Sequence, residues 1–166
     1  MQVEQDVDAV EWMRARWAEH GEPSPSHFAA MASVMRAAAV MSEAVEQRLK
    51  KLKLNRTGYL VLITLQMAPN NERPLGQLSR QLLVHPTTVT LLVDQLEKPK
   101  LVTRLAHPTD RRTVLARLTP KGLKVTQEAS ASLAEIGFGV GDIDAATADR
   151  IVADLRTMRR SIGDLR

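Results

Sequence analysis

Pro74-Leu75-Gly76-Gln77-Leu78-Ser79-Arg80-Gln81-Leu82-Leu83, running on into Val84-His85-Pro86-Thr87-Thr88-Val89-Thr90-Leu91-Leu92-Val93, is the stretch whose reading decides the fold. Leucines at 75, 78 and 82 follow the three-and-four spacing of one buried helix face. Val84-His85-Pro86 breaks that helix. Pro86 suits the first turn of a second helix, where its missing N–H would be unpaired anyway. Val89, Leu92, Val93 and Leu96 then make the next apolar stripe and leave Thr87, Thr88, Thr90 and Leu91 on the other side.

Downstream, Leu101-Val102-Thr103-Arg104-Leu105 and Thr113-Val114-Leu115-Ala116-Arg117-Leu118 alternate inward and outward residues and read as two strands. Between them lies a polar tip, Ala106-His107-Pro108-Thr109-Asp110-Arg111-Arg112. Two helices followed by a hairpin with a cationic tip is an order of elements suited to gripping duplex DNA. The second helix enters the major groove with its N-terminal residues toward base edges, and threonine there donates, accepts, or offers its methyl to thymine. A guanidinium at the tip reaches the minor groove. Against this stand two plainer readings, an ordinary Thr-rich helix start and a solvated turn with an Asp110 to Arg112 ion pair.

Charge favours the first reading. From Arg73 to Lys124 there are ten Lys and Arg residues against three acids, a balance of +7, whereas the whole chain is only +4. A surface that displaces counterions from phosphates needs such local concentration. Arg73, Arg80, Lys98, Lys100 and Arg104 are the expected phosphate contacts.

The stretch from Leu54 to Gly122 resembles the winged helix-turn-helix core of the MarR family of bacterial transcription regulators. The residues that carry the resemblance are Leu75-Gly76-Gln77-Leu78-Ser79, Val89-Thr90, Asp94-Gln95-Leu96-Glu97-Lys98, Leu101-Val102-Thr103-Arg104, and above all Asp110-Arg111-Arg112-Thr113-Val114-Leu115-Ala116-Arg117-Leu118-Thr119-Pro120-Lys121-Gly122. The resemblance implies a mainly α fold with a small β-hairpin wing. It gives Arg111 and Arg112 the wing's DNA contact, with Asp110 orienting one of them, and it sets His85, Pro86, Thr87, Thr88, Thr90 and Leu91 at the reading edge. Two departures stand out. Leu91 or Leu92 occupies a place where members often carry arginine or another polar residue. Lys98-Pro99-Lys100 replaces a glycine, so a turn different from the family's left-handed one is expected there.

Three segments are expected: N-terminal helices over 1–53, the winged helix-turn-helix over 54–122, and C-terminal helices over 123–166. Ser26 is read as the N-cap of a helix from His27 to about Lys53, and Asp142-Ile143-Asp144 restarts a helix after the glycine-broken 137–141 segment. Ile151, Leu155, Met158, Ile162 and Leu165 repeat at heptad spacing. The resemblance implies that both flanks interlock two subunits, so a homodimer on double-stranded DNA is expected. Its two recognition helices would lie roughly 34 Å apart on a palindromic operator. Terminal helices folded onto their own subunit are the alternative.

In the N-terminal extension Val3, Val7, Val10, Met13 and Trp17 share one helix face while Trp12 falls opposite, as packing or as a second contact surface. The family binds small phenolic or aromatic anions in a crevice between dimer helices and wing domain. Trp12, His27, Arg36, Arg48 and Tyr59 are the candidates carried over for such a crevice. Some branches, urate-responsive ones included, have a comparable Trp-bearing helix, but the acid they carry after the position of Leu54 is Leu60 or a neighbour here.

The remaining composition narrows the classes. With 44% hydrophobic and 3% aromatic residues, the core must come from Leu, Val, Ala and Met, and the absence of cysteine excludes disulfides, cysteine-ligated zinc and thiol-based peroxide sensing. No metal or cofactor is expected. The histidines at 20, 27, 85 and 107 lack metal-ligand spacing and no phosphate loop or nucleophile motif appears, so an enzyme is not expected. No apolar run reads as long enough for a membrane span, and the first 22 residues hold six acids against two arginines, so a cytoplasmic location is expected.

Overall fold

The computed structural model describes residues 7–110 and 112–164. It divides into two units, Met1–Ala44 and Val45–Arg166.

In the first unit Asp8 caps α1 (Ala9–Glu19), its carboxylate accepting from the Val10 N–H at 2.8 Å. Val10 is buried and Met13 and Trp17 are half-buried, as the shared face predicts; Val7 precedes the helix and is exposed, and Val3 lies outside the described residues. Trp17 stacks on Phe28 with ring centroids 4.1 Å apart, and its indole N–H donates to the Pro23 carbonyl at 2.9 Å. Trp12 is 52% exposed under the Arg16 guanidinium.

α2 (Pro25–Lys50) begins and ends earlier than the sequence suggests. Ser26 is inside the helix and does not cap it. Pro25 takes the first helical position, where it has no N–H to satisfy, and the Ser24 carbonyl receives the N–H groups of His27 and Phe28. The expectation about membrane spans is also corrected: α2 is long enough, and over an 18-residue window with mean hydropathy 1.3 apolar enough, to cross a membrane by length and composition. Its alanines, methionines and valines supply that value, and Met31, Met35 and Val40 are exposed.

The second unit packs α3 (Arg56–Gln66), α4 (Leu75–Leu82), α5 (Pro86–Glu97) and α6 (Pro120–Ala134) around one core. Asn55 caps α3, its side chain accepting from Gly58 N–H at 2.7 Å. Val61, Leu62 and Leu65 of α3 meet Leu78 of α4, Val89 and Val93 of α5, and Ala129 and Leu133 of α6. Removing most of one such leucine side chain typically costs about 2 to 5 kcal/mol. Because α6 joins this core, the chain shows no structural break at 122/123.

Three strands, β1 (Glu72–Pro74), β2 (Val102–Ala106) and β3 (Val114–Leu118), form an antiparallel sheet in the order β1-β3-β2 among the described residues. Arg104 pairs with Ala116, and Arg73 pairs with Ala116 from the other side. Thus β1, a strand that the sequence reading does not include, completes the sheet, fixed by Arg117 against Glu72 at 2.6 Å. Leu101 and Thr113 fall just outside the strands.

α7 (Ala145–Ser161) starts after Asp144, whose carboxylate accepts from Thr147 N–H at 2.7 Å. No described residue of α7 is buried: of the heptad stripe, Leu155 and Met158 are half-buried, Ile151 and Ile162 exposed, and Leu165 lies outside the described residues.

Candidate nucleic-acid interface

α4 stops because Leu83 turns left-handed, with φ 52°. Leu83 N–H bonds the Arg80 carbonyl and Val84 N–H bonds the Ser79 carbonyl, the paired bonds of a Schellman cap. The buried Ser79 hydroxyl donates to the Val84 carbonyl at 2.8 Å, which locks the turn from inside. His85 then opens α5, its Nδ1 accepting from Thr87 N–H at 3.3 Å, and Pro86 follows at the first helical position. Val89, Leu92, Val93 and Leu96 are buried as expected, and this rotation leaves Thr87, Thr88, Thr90 and Leu91 exposed. The Thr90 hydroxyl donates back to the Pro86 carbonyl at 3.2 Å, so its methyl is the group left outward.

α5 ends in a second Schellman cap. Lys100 N–H bonds the Glu97 carbonyl and Leu101 N–H bonds the Leu96 carbonyl, with the buried Leu96 and Leu101 completing it. Lys100 has φ 62°, so the left-handed turn is kept without its glycine, contrary to the expectation of a different turn. The cap's two bonds and its apolar pair hold the lysine in a conformation that costs an L-residue about 1 to 2 kcal/mol.

The wing is tied to the reading helix through Arg104 on β2. Its guanidinium contacts Asp94 at 2.7 Å, donates to the Thr90 carbonyl at 3.0 Å and approaches Glu97 at 3.9 Å, while its backbone N–H donates to Glu97 at 3.1 Å. Arg104 therefore positions α5, its charge already matched by two acids. Of the other expected phosphate contacts, Arg80, Lys98 and Lys100 are exposed, and Arg73 lies in β1 with its Nε buried.

At the wing tip Asp110 organises backbone. Its carboxylate accepts from Arg112 N–H at 3.0 Å and from the Thr113 hydroxyl at 2.6 Å, and these bonds hold its pKa below the ordinary carboxylate value. His107 Nδ1 accepts from Asp110 N–H at 3.2 Å. Arg112 is exposed beyond this turn, and Arg111 lies outside the described residues. Behind the wing Thr119 caps α6, and its close approach explains Gly122: a Cβ there would stand 2.0 Å from the Leu101 carbonyl oxygen.

The five crevice candidates fall in both units. Trp12 and Arg36 border different concavities of the N-terminal unit, of about 270 and 710 Å³. His27 is exposed on α2, Arg48 pairs with Glu135 at 2.8 Å, and the buried Tyr59 shares a hydrogen bond with Ser130 at 3.0 Å. The Arg104 to Asp94 link and the Ser79 lock escaped sequence reasoning. Asp94 and Arg104 both stand in the quoted motifs, but nothing local pairs them.

Two helices joined by a locked turn, with a three-stranded wing behind the second, define a winged helix-turn-helix protein. The MarR family profile matches residues 54–114. The HTH-type transcriptional regulator MhqR of Bacillus subtilis (strain 168) is 34% identical over 88 residues, 53% of this chain and 59% of that protein. The chain spans about half the length of the curated relatives it matches. Sco5413 of Streptomyces coelicolor, a MarR family transcriptional regulator, superposes with TM-score 0.76 at 34% identity, over 84% of this chain and 97% of that one. Sco3205 from the same organism, solved in complex with DNA, has the same fold, with TM-score 0.72 at 19% identity over 80% and 84%. The chain belongs to the MarR family, a family of transcriptional regulators and not of enzymes.

Proposed function

We propose that two copies of this chain bind a palindromic operator in double-stranded DNA and repress the genes beside it, in the cytoplasm. The observation that carries this reading is that Arg104 fastens the wing to the helix whose Thr87, Thr88 and Leu91 edge is open. Each copy sets that edge in a major groove and Arg111 and Arg112 at the neighbouring minor groove, while Arg80, Lys98 and Lys100 face phosphates. A second copy covers apolar side chains left open on α2, such as Met35, and, separately, on α7, such as Ile151. That occupant accounts for the hydropathy of α2 without a bilayer.

A small phenolic or aromatic anion releases the operator by preferring one separation of the two reading helices over another. The cationic and aromatic groups bordering the N-terminal concavities, Arg36 and Trp12, support such a site. Fluorescence anisotropy on DNA upstream of the chain's own gene tests the central reading. Binding should be about 10³-fold or more tighter than to scrambled duplex at physiological salt. Equal, salt-sensitive binding to both would mark a non-specific architectural protein instead. Light scattering should report a dimer at micromolar concentration, and a monomer would overturn that part.

A further inference from the structure

We infer that the reading helix selects its operator chiefly by packing against thymine 5-methyl groups, with Leu91 as the residue that sets this preference. The inference rests on the proposed reading of duplex DNA and names what is read. From Pro86 to Val93 the helix carries no Arg, Lys, Asn, Gln, Asp or Glu. Those are the side chains that make the bidentate contacts distinguishing guanine, adenine and cytosine in the major groove. The nearest charged residue on the helix, Asp94, is held by Arg104 at 2.7 Å. The nearest amide, Gln95, lies about 12 Å along the axis beyond Thr87, away from the N-terminal end that meets the bases.

Beyond the exposed His85 imidazole, whose Nδ1 accepts from Thr87 N–H, what remains on the open edge is largely methyl. Leu91 is 57% exposed, an isobutyl group standing on the face opposite the buried Val89, Leu92, Val93 and Leu96. Thr90 has its hydroxyl donated to Pro86, so it too offers a methyl. Thr87 and Thr88 add two more methyls, each beside a single hydroxyl. The thymine 5-methyl projects into the major groove, and an aliphatic side chain gains by removing it from water. Leu92 and Val93, which follow it, are buried in the core, so Leu91 is the large aliphatic side chain that α5 leaves open.

The test uses the full chain and an operator selected from random duplex DNA. Each thymine in one half-site, and then in both, is replaced by deoxyuridine, which removes the methyl and keeps every hydrogen-bonding group. At one or two positions the substitution should weaken binding about fourfold per half-site, and on the order of fifteenfold when made in both. Leu91→Ala, at an exposed position, should bind the thymine operator about as weakly as the native chain binds the deoxyuridine one, and should no longer distinguish them. Equal affinity of the native chain for both operators overturns the inference, as does a Leu91→Ala variant that keeps the preference. Failure to select any duplex strikes the proposed function instead, so the two failures are separable.

Discussion

The Arg104 guanidinium lies 2.7 Å from the Asp94 carboxylate and bridges β2 to α5, joining the wing to the reading helix. Both side chains are partly exposed, and pairs of that kind typically contribute about 1 kcal/mol or less to stability. Its consequence is geometric: a hairpin free to swing would not hold a tip arginine in register with the helix.

Arg104→Met keeps the aliphatic stem and removes the link. Urea unfolding should show a loss of about 1 kcal/mol or less, while operator affinity falls by more. Asp94→Asn should do much the same, and the double variant little worse than either single one. Additive losses in operator affinity would show that the two residues act separately.

Lys100→Gly should stabilise the chain by about 1 kcal/mol, since glycine occupies the left-handed region without the clash an L side chain meets. The urea midpoint should rise with an unchanged slope. A fall in the midpoint would mean that the two cap bonds do not hold Lys100 at φ 62° in solution.

Gly122→Ala should be severe, on the order of 3 kcal/mol, because the added Cβ would meet backbone at 2.0 Å and not a side chain that can turn away. Thermal unfolding reads this directly. A native melting temperature would place α6 farther from Leu101 than the structure does.

Asp110 gives a pH dependence of known sign. Its folded pKa is depressed by the bonds from the Thr113 hydroxyl and Arg112 N–H. The order it brings is therefore complete above the ordinary carboxylate value of about 3.8 and is lost as pH falls through the lower folded value. The Asp110 side-chain carboxyl carbon resonance, which reports its own protonation, should titrate with a midpoint below that ordinary value. A midpoint at or above the ordinary value would contradict the turn. At neutral pH, Asp110→Ala should weaken operator binding with little change in melting temperature.

The sequence made α5 readable because its signals are local: a proline at the first position, an apolar stripe at helical spacing, and threonines on the other face. β1 was not readable, since Glu72-Arg73-Pro74 has no alternation and becomes a strand only by pairing with β3. Lys100 misled because local propensity argues against a left-handed lysine, and the cap that enforces it depends on Leu96 and Leu101 being buried together. Ser26 misled because serine is a good capping residue, whereas Pro25 before it already takes the first helical position. Arg104 was counted as a phosphate contact because its partners lie ten and seven residues away on another element. Charge alone does not say with what it is matched.

Hydroxyl-radical footprinting of the full chain on its selected operator tests the central claim most directly. Two protected patches, related by a two-fold axis and centred about one helical turn of DNA apart, are the predicted result, with the flanking minor-groove protection lost in Arg112→Ala. Uniform protection along the duplex, or a pattern that Arg112→Ala leaves untouched, would contradict it.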